Sequence, residues 1–343
     1  MTTRRVTLAD VARKAGVSRA TASFVMGGRS DMRISAATQA RVLRVAQDLG
    51  YRPNLTARGL RTSVTRTIGL VSDTIATAQY AGEVIHGGLD AALANDHLLL
   101  IAESAGDRHV EERLLEGMLD RQVDGIVYGA MYTRVVEPPR SLLGRPVVLL
   151  NCLAEGFPAP SVIPDEEAAG RTAAQALLDA GHRDAIYVVG GHHVTSRTPD
   201  GVFAGRERMS GIEHALRRAG VAPARVIECA WAVEQGYEEV RALLAGGHRP
   251  QAIIGCNDRV SFGACQALQE AGLDVPGDVS VVSFDDSGLA SWARPQLTSI
   301  ALPHYQLGRT AVELLIGGRL EPVVHRIPMP LRVRASLARR THR

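Results

Sequence analysis

From residue 67 onward the chain alternates short apolar runs with amphipathic stretches, and few folds accommodate that rhythm. Apolar runs fall at 67–72, 98–103, 125–128, 147–150, 185–189, 225–229, 252–256 and 279–284. Between most of them lie stretches of helical periodicity, at 79–95, 108–120, 166–180, 206–219, 234–245 and 258–271. Continuous apolar strands that alternate with helices belong in parallel sheets covered on both faces. About four strands precede residue 151 and another set follows Pro164, which makes two doubly wound lobes. The run at 297–301 and the helical stretch 304–316 then mark a return to the first lobe.

The first 66 residues do not share this rhythm. They carry thirteen basic and three acidic side chains, a net charge of +10, while the rest of the chain carries −7. A compact basic head on an acidic body is the electrostatic footprint of a polyanion-binding module. With 343 residues, 45% of them hydrophobic and 22% charged, the chain suits a packed protein of two or three domains and not a disordered one. No window approaches the roughly 18 uninterrupted apolar residues of a membrane helix. The N-terminus has basic residues but no apolar signal core. The expected setting is the cytoplasm, with no membrane partner.

The head reads as three short helices. Leu8, Val11, Ala12 and Ala15 recur on one helical face, Thr7 is a fitting N-cap, Asp10 sits near the positive helix end, and Gly16 ends the helix. Ser18 caps a second helix with Ala22, Val25 and Met26 inward, and Gly27-Gly28 ends it. Ser35 opens a third, with Val42, Val45, Ala46 and Leu49 inward and Gly50 closing. This is a helix-turn-helix layout, in which the second helix enters the major groove. Arg19, Ala20, Ser23 and Phe24 then point outward. Arg19 can reach guanine O6 and N7 by two bonds, and Phe24 either packs on a thymine methyl or belongs to the core. Thr21 and flanking arginines such as Arg58 suit phosphates. After Pro53, Asn54 caps a short segment that includes Gly59 and has little apolar face, so it is marginal as an isolated helix.

In open α/β sheets ligands bind beyond the carboxyl ends of strands. The polar or aromatic residues that follow the apolar runs are Asp73, Glu103, Asn151, Trp231, Asn257-Asp258 and Asp285-Asp286. Carboxylates and amides hydrogen-bond hydroxyls, and Trp231 offers a flat apolar platform. Two lobes with such rims form a cleft suited to a small polar ligand such as a sugar or nucleoside. Asp and Asn at such places also cap helices, and Asp258 is expected to do that.

The string Val6-Thr-Leu-Ala-Asp-Val-Ala-Arg-Lys-Ala-Gly-Val-Ser-Arg-Ala-Thr-Ala-Ser23, followed by Gly50-Tyr-Arg-Pro-Asn54, resembles the head of the lactose/galactose repressor (LacI/GalR) family. The body is similar too, at 257–264, 275–286, 295–300 and Arg208-Met-Ser-Gly211. The resemblance implies a helix-turn-helix head on a periplasmic-binding-protein-like body of two doubly wound parallel-sheet lobes. It implies a DNA-binding domain at 1–50 and a hinge helix and linker at 51–66. The first lobe would comprise 67–164 with 302–324, and the second 165–301 with 325–343. It places Arg19, Ala20, Ser23 and Phe24 at base-facing positions, Ala57 near the minor groove and Leu60 as a wedge between central base pairs. It makes Arg208 and Asp285 the main effector anchors, beside Phe284. Trp231 and Asn257 would support them, and Asp73, Tyr80, Asn151 and His304 would contribute from the first lobe. Residues 74–80, Asn151 and the long loop 195–205 depart from the family pattern at the cleft, which leaves the effector's identity open. The function implied is a homodimeric transcription regulator, most simply a repressor, that binds a palindromic double-stranded operator under control of a sugar-like effector.

Other chemistries lack their signatures. There is no phosphate-binding G-x-x-x-x-G-K-[ST], no dinucleotide fingerprint after the first strand, no G-x-S-x-G elbow and no H-E-x-x-H. No cofactor is expected, and His192-His193 lacks further metal ligands. Cys152, Cys229, Cys256 and Cys265 form no C-x-x-C pair and read as reduced thiols. A solute-binding protein of an uptake system would share the clamshell but not the basic head. A small-molecule enzyme would need a catalytic set that is not evident.

Overall fold

The computed structural model describes residues 6–27, 34–51, 64–78, 82–192 and 199–340, and the chain divides into two units, Met1–Thr65 and Arg66–Arg343. In the first unit, α1 (Leu8–Ala15), α2 (Arg19–Met26) and α3 (Ala36–Asp48) form the head. Thr7 Oγ1 accepts from the Asp10 amide at 3.3 Å and the Asp10 carboxylate accepts from the Thr7 amide at 3.0 Å, a reciprocal capping box. Ser18 and Ser35 cap α2 and α3 by accepting from the Thr21 and Thr38 amides at 3.0 and 3.3 Å. The core is small: Val11, Ala12, Ala15, Ala22, Val25, Val42 and Ala46, with Met26, Val45 and Leu49 only partly buried around it. Arg41 Nε donates to the Ala15 carbonyl at 3.0 Å and ties α3 to the end of α1.

The second unit holds two six-stranded sheets. The first contains β1 (Thr67–Ser72), β2 (Leu98–Glu103), β3 (Gly125–Val135), β4 (Val147–Leu153), β5 (Ser161–Pro164) and β11 (Val324–Ile327). Its strands are all parallel, in the order β11-β5-β4-β3-β1-β2. The second contains β6 (Ile186–Val189), β7 (Arg225–Ile227), β8 (Ala252–Gly255), β9 (Ser280–Asp285), β10 (Thr298–Ala301) and β12 (Leu331–Arg332). Its order is β12-β10-β9-β8-β6-β7, parallel except for β12. Every residue of β5, β6 and β8 is buried, as strands covered on both faces must be.

Helices α4 (Gly82–Ala94) and α5 (Arg108–Asp120) cover the first sheet, joined by α11 (His304–Ile316), which packs on α4. Helices α6 (Glu166–Asp179), α7 (Ala204–Arg218), α8 (Val233–Ala245), α9 (Asp258–Glu270) and the short α10 (Gly288–Trp292) belong to the second lobe. Helices α6 and α7 approach very closely. A Cβ on Gly170 would lie 2.0 Å from the Arg208 carbonyl oxygen, and one on Gly211 2.0 Å from that of Glu167. Only glycine permits this contact, and it fixes α7 against the first turn of α6.

Several boundaries differ from the sequence reading. β3 continues to Val135, well past the expected 128, and the strand expected at 225–229 stops at Ile227. β5, β11 and β12 lie outside the apolar runs of the sequence. Because β11 lies in the first sheet, the last crossing to the second lobe falls between Ile327 and Leu331, later than the expected 325. Among the described residues no helix is long and apolar enough to cross a membrane.

Candidate functional site

On α2 of the head, Ala22 and Val25 are buried, Arg19 and Ala20 are exposed, and Thr21, Ser23 and Phe24 are half-buried. The Thr21 hydroxyl lies 2.9 Å from Ser18 Oγ, so it also takes part in the cap. Ala57, Arg58, Leu60 and Tyr80 lie outside the described residues, as do most of the hinge and parts of the loops around residues 80 and 195.

In the second unit a cavity of 530 Å³ opens at the carboxyl ends of the strands, and residues of both lobes line it. Its floor is built around Arg208, whose side chain is 1% exposed. The guanidinium carbon lies 4.8 Å from the centre of the Trp231 ring and 4.2 Å from that of Phe284. Nε and Nη2 donate to Glu166 at 2.8 and 2.9 Å, Nη1 donates to the Cys256 carbonyl, and Asp285 stands 3.8 Å from Nη1. Burial works against the charge on Arg208, but Glu166, Asp285 and Cys256 together outweigh it and the pKa is raised.

Asp285 keeps about a quarter of its side chain open to the cavity, at 26% exposure. Burial pushes its carboxyl up to about 7, Arg208 opposes that shift, and Asp258 and Glu166 reinforce it. Asp285 and Asp286 have φ of 95° and 51°, an unusual pair of non-glycine residues in the left-handed region. The turn sends them apart: Asp286 pairs with Arg334 at 2.6 Å and lies 3.9 Å from Arg332.

The expectation that Asp258 caps a helix is corrected. Asn257 caps α9, accepting from the Val260 amide at 2.9 Å. Asp258 is instead a buried hub. It accepts from Ser283 and Ser299 hydroxyls at 2.7 and 2.8 Å, and from the Ser287 amide and hydroxyl at 2.7 and 2.8 Å. Burial raises its pKa and the four bonds oppose the rise. The hub ties β9 and β10 to α9 and so holds the Asp285 turn. Asn257 also donates to the Trp231 carbonyl at 3.2 Å, and Trp231 Nε1 donates to the Gly190 carbonyl at 2.9 Å, so the residue is held by its backbone and by its indole.

On the first lobe Asn151, at φ 58°, donates to the Ala130 and Met131 carbonyls at 3.0 and 2.9 Å and accepts from the Thr133 hydroxyl at 2.7 Å. Asp73 accepts from the Met131 amide at 2.8 Å and from Arg134 at 3.2 Å. Both residues therefore brace the long end of β3. That end reaches the other lobe: the Phe203 amide donates to the Thr133 carbonyl at 3.1 Å, and the Val135 amide to the Gly201 carbonyl at 2.9 Å. This strap lies next to the start of α7, the helix that carries Arg208.

Of the residues singled out in the sequence, Asn151, Arg208, Trp231, Asn257, Asp258, Asp285, Asp286 and His304 line the cavity. Asp73 and Phe284 do not; they stand behind the lining. Glu166, Met131 and Thr133 line it without having been anticipated. Glu166 follows β5, and Met131 and Thr133 lie on the part of β3 beyond residue 128, so neither place directly follows an apolar run of the sequence.

No group of three His, Cys, Asp or Glu that could hold a metal occurs among the described residues. His192 Nδ1 instead lies 2.6 Å from Glu228. The cysteines are free thiols; burial pushes Cys152, Cys256 and Cys265 up to about 12 and Cys229 to about 11.

Two family descriptions match this chain: bacterial regulatory proteins, lacI family, at residues 7–54, and a periplasmic binding protein-like domain at 174–337. Catabolite control protein A of Priestia megaterium is 35% identical over 316 residues, covering 90% of this chain and 91% of the relative. The chain belongs to the lacI family. The ribose operon repressor of Escherichia coli K12 is 32% identical over 330 residues, 94% of each chain. A crystal structure of the Lac repressor dimer bound to operator and the anti-inducer ONPF matches this lacI-family chain with a TM-score of 0.77 and 25% identity, over 98% of this chain and 100% of that one. The head is thus the family's helix-turn-helix domain, and the two parallel-sheet lobes are its binding-protein-like domain. This lacI-family protein is a DNA-binding transcription regulator of a repressor family, and not an enzyme.

Proposed function

We propose that this lacI-family protein represses transcription as a cytoplasmic homodimer on a palindromic operator, and that a small polar effector, a sugar or sugar derivative, controls it from the cleft. The observation that carries the effector reading is the cavity floor. Trp231 supplies a flat face, Asp285 a partly open carboxyl, and Arg208 two N–H groups beyond the three already used. Such a set hydrogen-bonds hydroxyls while stacking an apolar sugar face. Asn151, Asn257 and His304 also line the cavity, with Phe284 and Asp73 behind it, and Tyr80 would contribute from the first lobe.

For the dimer, two observations agree. One short helix reads few base pairs, so two related by symmetry are needed. β2 is the edge of the first sheet, and Leu98 on it and Leu93 near the end of α4 are 58% and 69% exposed. Arg19, Ala20, Ser23 and Phe24 would read bases, with Thr21 on phosphate. Residues 51–66, with Ala57, Arg58 and Leu60, would couple lobe angle to the heads. Typical couplings of roughly 1–3 kcal/mol change DNA affinity about 5–150-fold. The relatives, a ribose operon repressor and a Lac repressor dimer on operator, accord with this reading.

The test is a thermal-shift screen of sugars followed by operator binding. A ligand at 100 times its dissociation constant stabilises by about 2.7 kcal/mol. Arg19→Ala should weaken an inverted-repeat duplex far more than random DNA. Equal loss on both would make Arg19 a phosphate contact.

A further inference from the structure

The Arg208 guanidinium is the only fully buried cation on the described lining, and it is already neutralised. Glu166 grips it with both oxygens at 2.8 and 2.9 Å, and the Glu166 side chain is 2% exposed. Arg259 and Arg332, the other arginines on the lining, are exposed at the rim, and Arg332 lies 3.9 Å from Asp286. Against them stand Glu83, Glu166, Asp258, Asp285 and Asp286. An anionic ligand entering this floor would meet a carboxylate pair, Glu166 and Asp285, flanking the one buried cation. In a site of low dielectric such a like-charge approach costs far more than in water. An uncharged polyol meets no such opposition, since the spare N–H groups of Arg208 and the Asp285 carboxyl serve as donor and acceptor to hydroxyls.

We infer that Glu166 sets the charge class of the effector: by occupying Arg208 it makes the cleft accept uncharged polyols and reject phosphorylated or carboxylated ones. The inference rests on the reading of the cleft as an effector site. Glu166 acts here as a specificity-determining residue through Arg208. It needs no contact with the ligand.

The experiment uses the full chain carrying Trp292→Phe, which leaves Trp231 as the sole indole, at pH 8 and constant ionic strength. Inorganic phosphate, D-glucose, D-glucose 6-phosphate, D-ribose and D-ribose 5-phosphate are titrated against Trp231 fluorescence, with and without Glu166→Gln. The chain with Glu166 intact should show no saturable response to phosphate or to either phosphorylated sugar. Glu166→Gln should gain a saturable response to inorganic phosphate, with a midpoint at least ten-fold below the highest concentration at which the Glu166 chain shows none. Where Glu166→Gln fails to fold in chloride, phosphate should restore its circular dichroism and raise its melting temperature more than it does for the Glu166 chain; absence of rescue overturns the inference. So does a Glu166 chain that binds a phosphorylated sugar as tightly as its neutral counterpart, or a folded Glu166→Gln that still ignores phosphate. If no neutral sugar binds while Glu166→Gln gains phosphate, the sugar reading falls and the charge rule stands.

Discussion

Glu166 and Arg208 face each other from two helices whose backbones meet at Gly170 and Gly211, joined by paired hydrogen bonds of 2.8 and 2.9 Å. The pair is buried, so neither member tolerates loss of the other. Arg208→Ala should destabilise the body by roughly 3–5 kcal/mol, the usual effect of stranding a buried charge. The joint replacement Glu166→Leu with Arg208→Met should be much milder. Urea denaturation of both variants checks this, and equal losses would show that the pair's charges are not what matters.

Asp285 makes the body's stability depend on pH with a definite sign. Its carboxyl titrates near 7 in the folded protein, against an ordinary value of 3.8. Between those values the folded state holds more protons than the unfolded one, so this group lowers stability as pH rises from about 4 to 7. Asp285→Asn removes the effect. The variant should gain on the wild type across that interval, and the gap should be flat at higher pH. Calorimetric melting temperatures at half-unit steps test it; a gap independent of pH would place the titration elsewhere.

Gly211→Ala puts a methyl group where Glu167's carbonyl oxygen sits 2.0 Å away. Overpacking of this kind costs roughly 1–3 kcal/mol. Because α7 carries Arg208, the displacement should also weaken the response to a bound sugar. Thermal-shift titration separates the two effects, and a normal ligand shift on a destabilised chain would show that Arg208 has not moved.

Leu93, near the end of α4, and Leu98, on the edge strand β2, stand exposed. Replacing both by Asp should shift sedimentation toward monomer and reduce operator affinity at least ten-fold, with circular dichroism unchanged. An intact dimer would move the interface to another face.

The strand–helix alternation disclosed both sheets, and the capping signals at Thr7, Ser18 and Ser35 disclosed the head helices. What escaped has a common cause. β5 holds two apolar residues between Ser161 and Pro164, β11 is interrupted by His325 and Arg326, and β12 has two residues, so none reads as a continuous apolar run. Missing β5 meant missing Glu166 beyond it. Asp258 was misjudged for a different reason: in sequence it is indistinguishable from a cap, and only the convergence of Ser283, Ser287 and Ser299 from distant segments makes it a hub. Arg208 and Asp285 were legible through resemblance, yet the state of Arg208, already paired, required the third dimension.

The most direct test of a ligand-controlled operator reader is fluorescence anisotropy of the full-length protein on inverted-repeat duplexes. It is repeated across salt concentrations and with each sugar that shifts the melting temperature. The expected result is salt-sensitive preference for one inverted repeat over random DNA, changed at least five-fold by a sugar in the wild type and unchanged by it in Asp285→Ala. Equal affinity for every duplex, or a sugar response that survives Asp285→Ala, would contradict the coupling of cleft to head.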